Sequence, residues 1–184
     1  MKHVMILATD GFEQSELMEP KANLEKAGFE TTVVSLESGK IRGWDQKDWG
    51  DAVKVDKTVD EIDSCKGYDA LLLPGGQMNP DILRMNKKAV EIVKMFDHTK
   101  KPIAAICHAP WMLIEAGLVE GKSVTSWPSV RTDLKNAGAK VVDKEVVVDG
   151  NLITSRKPDD IPAFSKALIE MLGVKVDKRE LETA

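Results

Sequence analysis

Histidine and cysteine are scarce in this chain of 184 residues: three of the first (His3, His98, His108) and two of the second (Cys65, Cys107). With no His-Glu-x-x-His and no Cys-x-x-Cys either, neither a zinc site nor another cofactor is expected. Two phosphate cradles are missing as well. No Gly-x-Gly-x-x-Gly follows the first apolar run, and no Gly-x-x-x-x-Gly-Lys precedes Ser or Thr, which argues against dinucleotide and P-loop sites. Positive charge is also in deficit: 26 Lys and Arg stand against 30 Asp and Glu, a formal charge of −4. Such a chain lacks the basic field that a phosphate backbone demands, so nucleic acid is not an expected partner. No apolar run approaches the roughly 18 residues of a membrane span. Val4-Met5-Ile6-Leu7-Ala8 stops at Asp10, too short for a signal peptide. These absences point to a soluble, cytoplasmic protein, in which a structural disulfide between the two cysteines is not expected.

What is present reads as one domain over residues 1–184, with a charged tail from about residue 174 that is expected to be solvated. Hydrophobic residues make up 42% of the chain, as in an ordinary globular domain. Lys2 to Ala8 is a short apolar segment bounded by Thr9-Asp10-Gly11, the pattern of a strand covered on both faces. A helix is expected over Ser15 to Ala27, closed by Gly28, and an alternating strand over Phe29 to Leu36. Strand, helix and strand in this order favour a parallel sheet with right-handed crossovers. Glu37 to Asp60 carries Trp44 and Trp49 among charges and reads as a hairpin outside the sheet, or as a surface for a second copy. Further strands are expected at Tyr68–Leu73, Pro102–Ile106 and Val124–Ser126, and a hairpin at 146–154 turning on Asp149-Gly150. Helices are expected over Asn86–Lys100, Trp111–Ala116, Ser129–Ala137 and around Ile161–Met171. Cys65, in a charged turn, is expected to be a surface thiol, His3 a strand residue and His98 a helix-end cation.

The chemistry gathers at Cys107. A buried strand runs straight into it, small residues flank it (Ala104, Ala105, Ala109), and a helix begins within three residues. That is the pattern of a nucleophile elbow at the carboxyl end of a parallel sheet. Helix-start amides facing the sulfur would lower its pKa and hold a developing oxyanion. A buried structural cysteine at a strand end is the plainer alternative. Two more strand ends should meet the same crevice. Glu13 would bring a carboxyl group near the sulfur, unless it only favours its helix start. Gly75-Gly76 would bring unhindered amides, unless it is an ordinary turn. Arg156 follows a strand and would bind an anionic group or form an ion pair.

Phe12-Glu13-Gln14-Ser15-Glu16-Leu17, Leu73-Pro74-Gly75-Gly76, Ala105-Ile106-Cys107-His108-Ala109-Pro110, Thr125-Ser126-Trp127-Pro128 and Thr154-Ser155-Arg156-Lys157-Pro158 lie in this order between residue 2 and about residue 172. Together they resemble the PfpI/ThiJ family of the class I glutamine amidotransferase-like superfamily. The resemblance implies a flavodoxin-like α/β fold, a three-layer sandwich with a mostly parallel sheet, in dimers and often hexamers. It implies a nucleophilic Cys107 hydrogen-bonded by Glu13, with the amides of Gly75, Gly76 and His108 as the oxyanion site. It also implies that an acidic residue of a neighbouring subunit orients His108. Pro80-Asp81 matches that residue, with one extra residue in the loop. Ala109 stands where the family usually has Gly, and Trp127 where it often has Tyr, so an indole donor replaces a hydroxyl.

Three functions follow from the resemblance. The first is cofactor-independent glyoxalase or deglycase chemistry on methylglyoxal and its adducts, with small carbonyl compounds or glycated molecules as substrates. The second is an intracellular cysteine peptidase acting on peptides, with His108 as base. Neighbours on an elbow tend to point apart, which weighs against it. The third is a redox-sensing stress chaperone in which Cys107 is oxidised. Glutamine amidotransferase activity is disfavoured, because that triad needs a histidine well after the cysteine and none follows His108.

Overall fold

A computed structural model of the protein describes residues 1–181. The chain begins with β1 (His3–Leu7), β2 (Phe12–Glu13), α1 (Gln14–Lys26) and β3 (Glu30–Ser35). The irregular stretch is the hairpin of β4 (Lys40–Asp45) and β5 (Asp48–Lys54), followed by β6 (Lys57–Thr58). Next come β7 (Ala70–Leu73), α2 (Met78–Leu83), α3 (Lys87–His98), β8 (Ile103–Ile106) and α4 (Pro110–Glu115). A side unit holds β9 (Ser123–Val124), α5 (Arg131–Asn136) and β10 (Lys140–Val141). The last elements are β11 (Val147–Asp149), β12 (Leu152–Ser155), α6 (Ile161–Met171) and α7 (Lys178–Leu181).

The main sheet has seven strands in the order β11-β12-β8-β7-β1-β3-β6. All its pairs are parallel except β11 with β12. Side chains alternate across it with the strand period of two. Met5, Leu7, Leu71, Leu73, Ile103 and Ala105 pack against α3, α4 and α5. Val4, Ile6, Ala70, Leu72, Ala104 and Ile106 pack against α1, α6 and α7. Covered on both faces, the central strands carry no polar residue beyond His3, and a three-layer α/β sandwich of flavodoxin-like type results. The helices supply matching stripes. Ala89, Val90, Val93 and Phe96 form the buried face of α3, whose cap Asn86 accepts a bond from the Ala89 N–H at 3.0 Å. Ile161, Phe164 and Leu168 do the same for α6, each contributing about 1.5–3 kcal/mol by burial.

Two expectations are corrected here. Cys65 is not a surface thiol: it is 6% exposed, its Sγ lying 3.6 Å from the Met95 carbonyl and 3.4 Å from the Thr99 hydroxyl. The tail is not wholly solvated, because α7 folds back and buries Leu181 against the α1/α6 layer; residues 182–184 lie outside the described residues. The short strand expected at Val124–Ser126 is β9, which pairs in parallel with β10 in a sheet of its own. Among the described residues, no helix is long and apolar enough to cross a membrane.

Candidate active site

The sharp turn after β8 is built by backbone bonds. The last parallel pair is Ser155 with Ile106, and the Cys107 N–H continues the ladder to the Ser155 carbonyl at 3.0 Å. The chain then turns: Cys107 has φ 64°, a left-handed conformation that costs a non-glycine residue roughly 1–2 kcal/mol. Ala109 N–H to Ile106 C=O (3.0 Å) and Trp127 N–H to Cys107 C=O (2.9 Å) hold it there. Strain of this kind, held by its surroundings, is characteristic of functional sites.

The carboxyl group at the sulfur belongs to Glu16. Burial is complete for this side chain, which accepts the Gly75 N–H at 3.0 Å on Oε2, leaves Oε1 without a partner and interacts electrostatically with the Cys107 thiol. The expectation for Glu13 is corrected on a simple ground. Phe12 and Glu13 form β2, so the helix starts at Gln14 and its inward stripe runs through Glu16, Leu17, Pro20, Asn23 and Leu24. Glu13 is left half-buried on the cavity wall, accepting a bond from the Ser15 hydroxyl at 3.3 Å. Burial raises its pKa, the Ser15 bond opposes that, and Asp45 adds to it.

The glycine pair is required by close approach. A Cβ on Gly75 would lie 2.3 Å from Glu16 Oε2 and 2.7 Å from Cys107 Cβ, and one on Gly76 2.5 Å from both Glu13 N and Gly11 O. The Gly75 N–H is taken by Glu16, while the N–H groups of Gly76 and His108 face the sulfur.

Burial pushes the Glu16 carboxyl up to about 8, aided by the nearby Glu13 charge and opposed by the Cys107 thiol and the Gly75 and Gly76 amides. It pushes the Cys107 thiol up too, with the Glu16 charge acting in the same direction and the Gly76 and His108 amides against it. The lowered thiol pKa expected from a helix dipole is therefore not found. α4 is six residues long with Pro110 at its first position, so the elbow turns few amides toward the sulfur, and desolvation wins. Thiol and acid form one buried pair that holds its protons at neutral pH.

His108 reaches the sulfur after all, with Nδ1 3.2 Å from Sγ. The positive φ at Cys107 turns both side chains into the same cavity. Nε2 of His108 lies 3.5 Å from the Ser129 hydroxyl. The ring meets Trp111 edge-on at 5.1 Å and stacks on Trp127 at 5.9 Å. Burial lowers its pKa, which keeps the imidazole neutral and able to accept a proton.

Arg156 lies outside the cavity, and Asp81 lies on the outer surface, as a residue expected to act on a neighbouring subunit can. Asp81 is exposed on α2 and lines an outer groove of about 850 Å³ with Arg84 and Glu115. The Arg156 guanidinium is engaged by Asp160 at 2.9 and 3.0 Å and by Asp143 at 2.9 Å, an ion-pair network rather than a free anion site. The cavity over Cys107, about 600 Å³, is walled by Trp44, Met78, Trp127 and Pro158 besides the two acids and His108. Trp44 comes from the tip of the β4–β5 hairpin, where its ring meets Trp49 edge-on at 5.6 Å. Among the described residues, no group of three or more His, Cys, Asp or Glu is placed to hold a metal ion.

Residues 2–171 match the model of the DJ-1/PfpI family. The chain belongs to the DJ-1/PfpI family. This DJ-1/PfpI chain is 45% identical to "Deglycase TK1284" of Thermococcus kodakarensis, over 92% of its own length and 98% of that protein. It is 42% identical to "Putative cysteine protease YraA" of Bacillus subtilis, over 93% of its length and 98% of the relative. Among solved structures, it superposes with a TM-score of 0.89 and 36% identity on a two-domain protein from Anabaena variabilis with dj-1/thij/pfpi-like and ferritin-like domains, covering 98% of this chain and 51% of that one.

Proposed function

We propose that the protein is a thiol-dependent glyoxalase or deglycase that acts on methylglyoxal and its adducts with amines and thiols. The observation that carries this reading is the buried Glu16–Cys107 pair, an acid poised to keep and return one proton beside a nucleophile. Glu16, the more acidic partner, loses the first proton, and the reactive form arises when the Cys107 proton passes to it, leaving a thiolate beside the neutral acid. The Cys107 sulfur then adds to the aldehyde carbon, and Glu16 gives its proton to the new alkoxide. The product is a hemithioacetal, and Glu16 is left as a carboxylate. That carboxylate takes the proton from the former aldehyde carbon and returns it to the neighbouring carbon, while the hydroxyl proton passes from the first carbon's oxygen to the second's, which converts hemithioacetal to thioester. Water cleaves the thioester to lactate and the free thiol, so methylglyoxal and one water become one hydroxy acid. The Gly76 and His108 amides are the donors nearest the developing oxyanion. The names of relatives such as "Deglycase TK1284" agree with this chemistry.

A second reading, cysteine peptidase, is favoured by the 3.2 Å contact between His108 Nδ1 and Sγ and agrees with the name of the YraA relative. It needs a group to orient the ring: Ser129 within the chain, or Asp81 delivered from the outer groove of a neighbouring copy. One experiment separates the two. The parent and Cys107→Ser are assayed side by side for loss of methylglyoxal and for cleavage of unfolded casein. The proposal expects loss of methylglyoxal with the parent alone, at least 1,000-fold above the variant by order of magnitude. Casein cleavage by the parent with methylglyoxal untouched would replace it with the second reading.

A further inference from the structure

Asn79 is wholly buried in the first turn of α2, and no step above uses it. Its Oδ1 accepts the Thr9 N–H at 2.8 Å, and its Nδ2 donates to the carbonyls of Pro74 at 2.9 Å and Gly75 at 3.1 Å. Both donors of the side-chain amide are spent, together with its oxygen, on two loops: the one after β1 and the one after β7. The Gly75 carbonyl takes a further bond from the Glu13 N–H at 3.3 Å, which ties the same peptide group to β2. The peptide groups fixed in this way carry the N–H of Gly75, which bonds Glu16, and the N–H of Gly76, which faces both Glu16 and the sulfur. A rotation of either peptide plane would take these donors away from the pair.

We propose that Asn79 is a positioning residue that sets the acidity of the Glu16–Cys107 pair by fixing the Pro74-Gly75-Gly76 backbone. It acts through the two glycine amides and touches neither the substrate nor the sulfur. Other titratable groups face the pair too: Glu13 from β2 and His108 from the elbow, with Asp45 at the end of β4 acting on Glu13. None of these is changed by an uncharged substitution at position 79. Loss of the bracket removes bonds that favour both charged forms, so the pair should hold its protons to higher pH.

The inference rests on Cys107 being the nucleophile, and its readout is the thiol itself. Alkylation of Cys107 by iodoacetamide is followed against pH, by peptide mass so that Cys65 is not counted, in the parent and in Asn79→Ala. The expected result is a midpoint raised by about one pH unit, with kcat on methylglyoxal down about tenfold and KM changed far less. A purely structural role would lower Tm and leave the midpoint in place, and that outcome, or a fall in the midpoint, overturns the proposal. Should Asn79→Ala not fold, Asn79→Leu fills the same space without polar atoms or charge and is read by the same criteria. A parent that ignores methylglyoxal would remove the proposed reaction while leaving the alkylation test valid.

Discussion

Cys65 and Cys107 are equally buried, each 6% exposed, yet their surroundings differ in kind. Cys65 precedes β7 at the amino end of the sheet, facing a main-chain carbonyl and a threonine hydroxyl. Cys107 follows β8 at the carboxyl end, on a strained backbone, between a carboxyl group and an imidazole and open to a cavity. Burial therefore does not distinguish a structural thiol from a chemical one. What distinguishes them is whether the neighbours can exchange a proton with the sulfur and whether a substrate can reach it.

The sharpest way to break this contrast is to remove the proton partner. Glu16→Gln keeps the shape and loses the titration, so kcat on methylglyoxal should fall by about 100-fold or more. Glu13→Gln should cost only a few-fold, and should move the rise of rate to lower pH by removing a charge that raises Glu16. Equal losses in steady-state kinetics would show that Glu16 has no special place at the sulfur.

A second test reads the same pair through stability. The folded value for Glu16 lies above the ordinary 4.5, at about 8, so the folded state binds the proton more tightly than the unfolded chain does. The stabilisation is full below the unfolded value and is lost as pH rises through the folded one. Burial of His108 has the opposite sign, but it acts near and below the ordinary 6.5. From about pH 7 to about pH 8, denaturation curves should therefore show stability falling by up to about 1.4 kcal/mol per pH unit, with a flatter profile in Glu16→Gln. Identical slopes in the two proteins would contradict a buried, protonated acid.

The smallest effect is expected at the other cysteine. Cys65→Ala removes a small buried group and its weak bonds, for about 1 kcal/mol of stability in urea unfolding and no change in turnover. A large loss of activity there would dissolve the contrast between the two thiols.

The sequence made the sheet legible because β1, β7 and β8 are uninterrupted apolar runs, which only a strand covered on both faces can use. It made Cys107 legible because a strand end, small residues and a helix start coincide there. Glu16 was harder to see. Two carboxyl groups, Glu13 and Glu16, stand within one helical turn at the start of α1, and only burial separates them. The signal was present in the inward spacing of Glu16, Pro20, Asn23 and Leu24, a carboxyl group on an otherwise hidden stripe. The reach of His108 was not legible, because a positive φ at a cysteine leaves no mark in the residues around it. Asn79 and Ser129 act through contacts across 70 and 21 positions of the chain, which no local pattern encodes.

The small sheet of β2, β4 and β5 has its own hydrogen-bonded order, separate from that of the large one. The acid, the thiol and the glycine amides belong to the large scaffold and its loops, whereas Trp44 reaches the cavity from the hairpin alone. One wall of the cavity is thus mounted on a part separate from the rest. A protein engineer could re-cut the hairpin as one might change a glove on a hand, altering what the chamber admits while the proton-handling pair beneath keeps its setting.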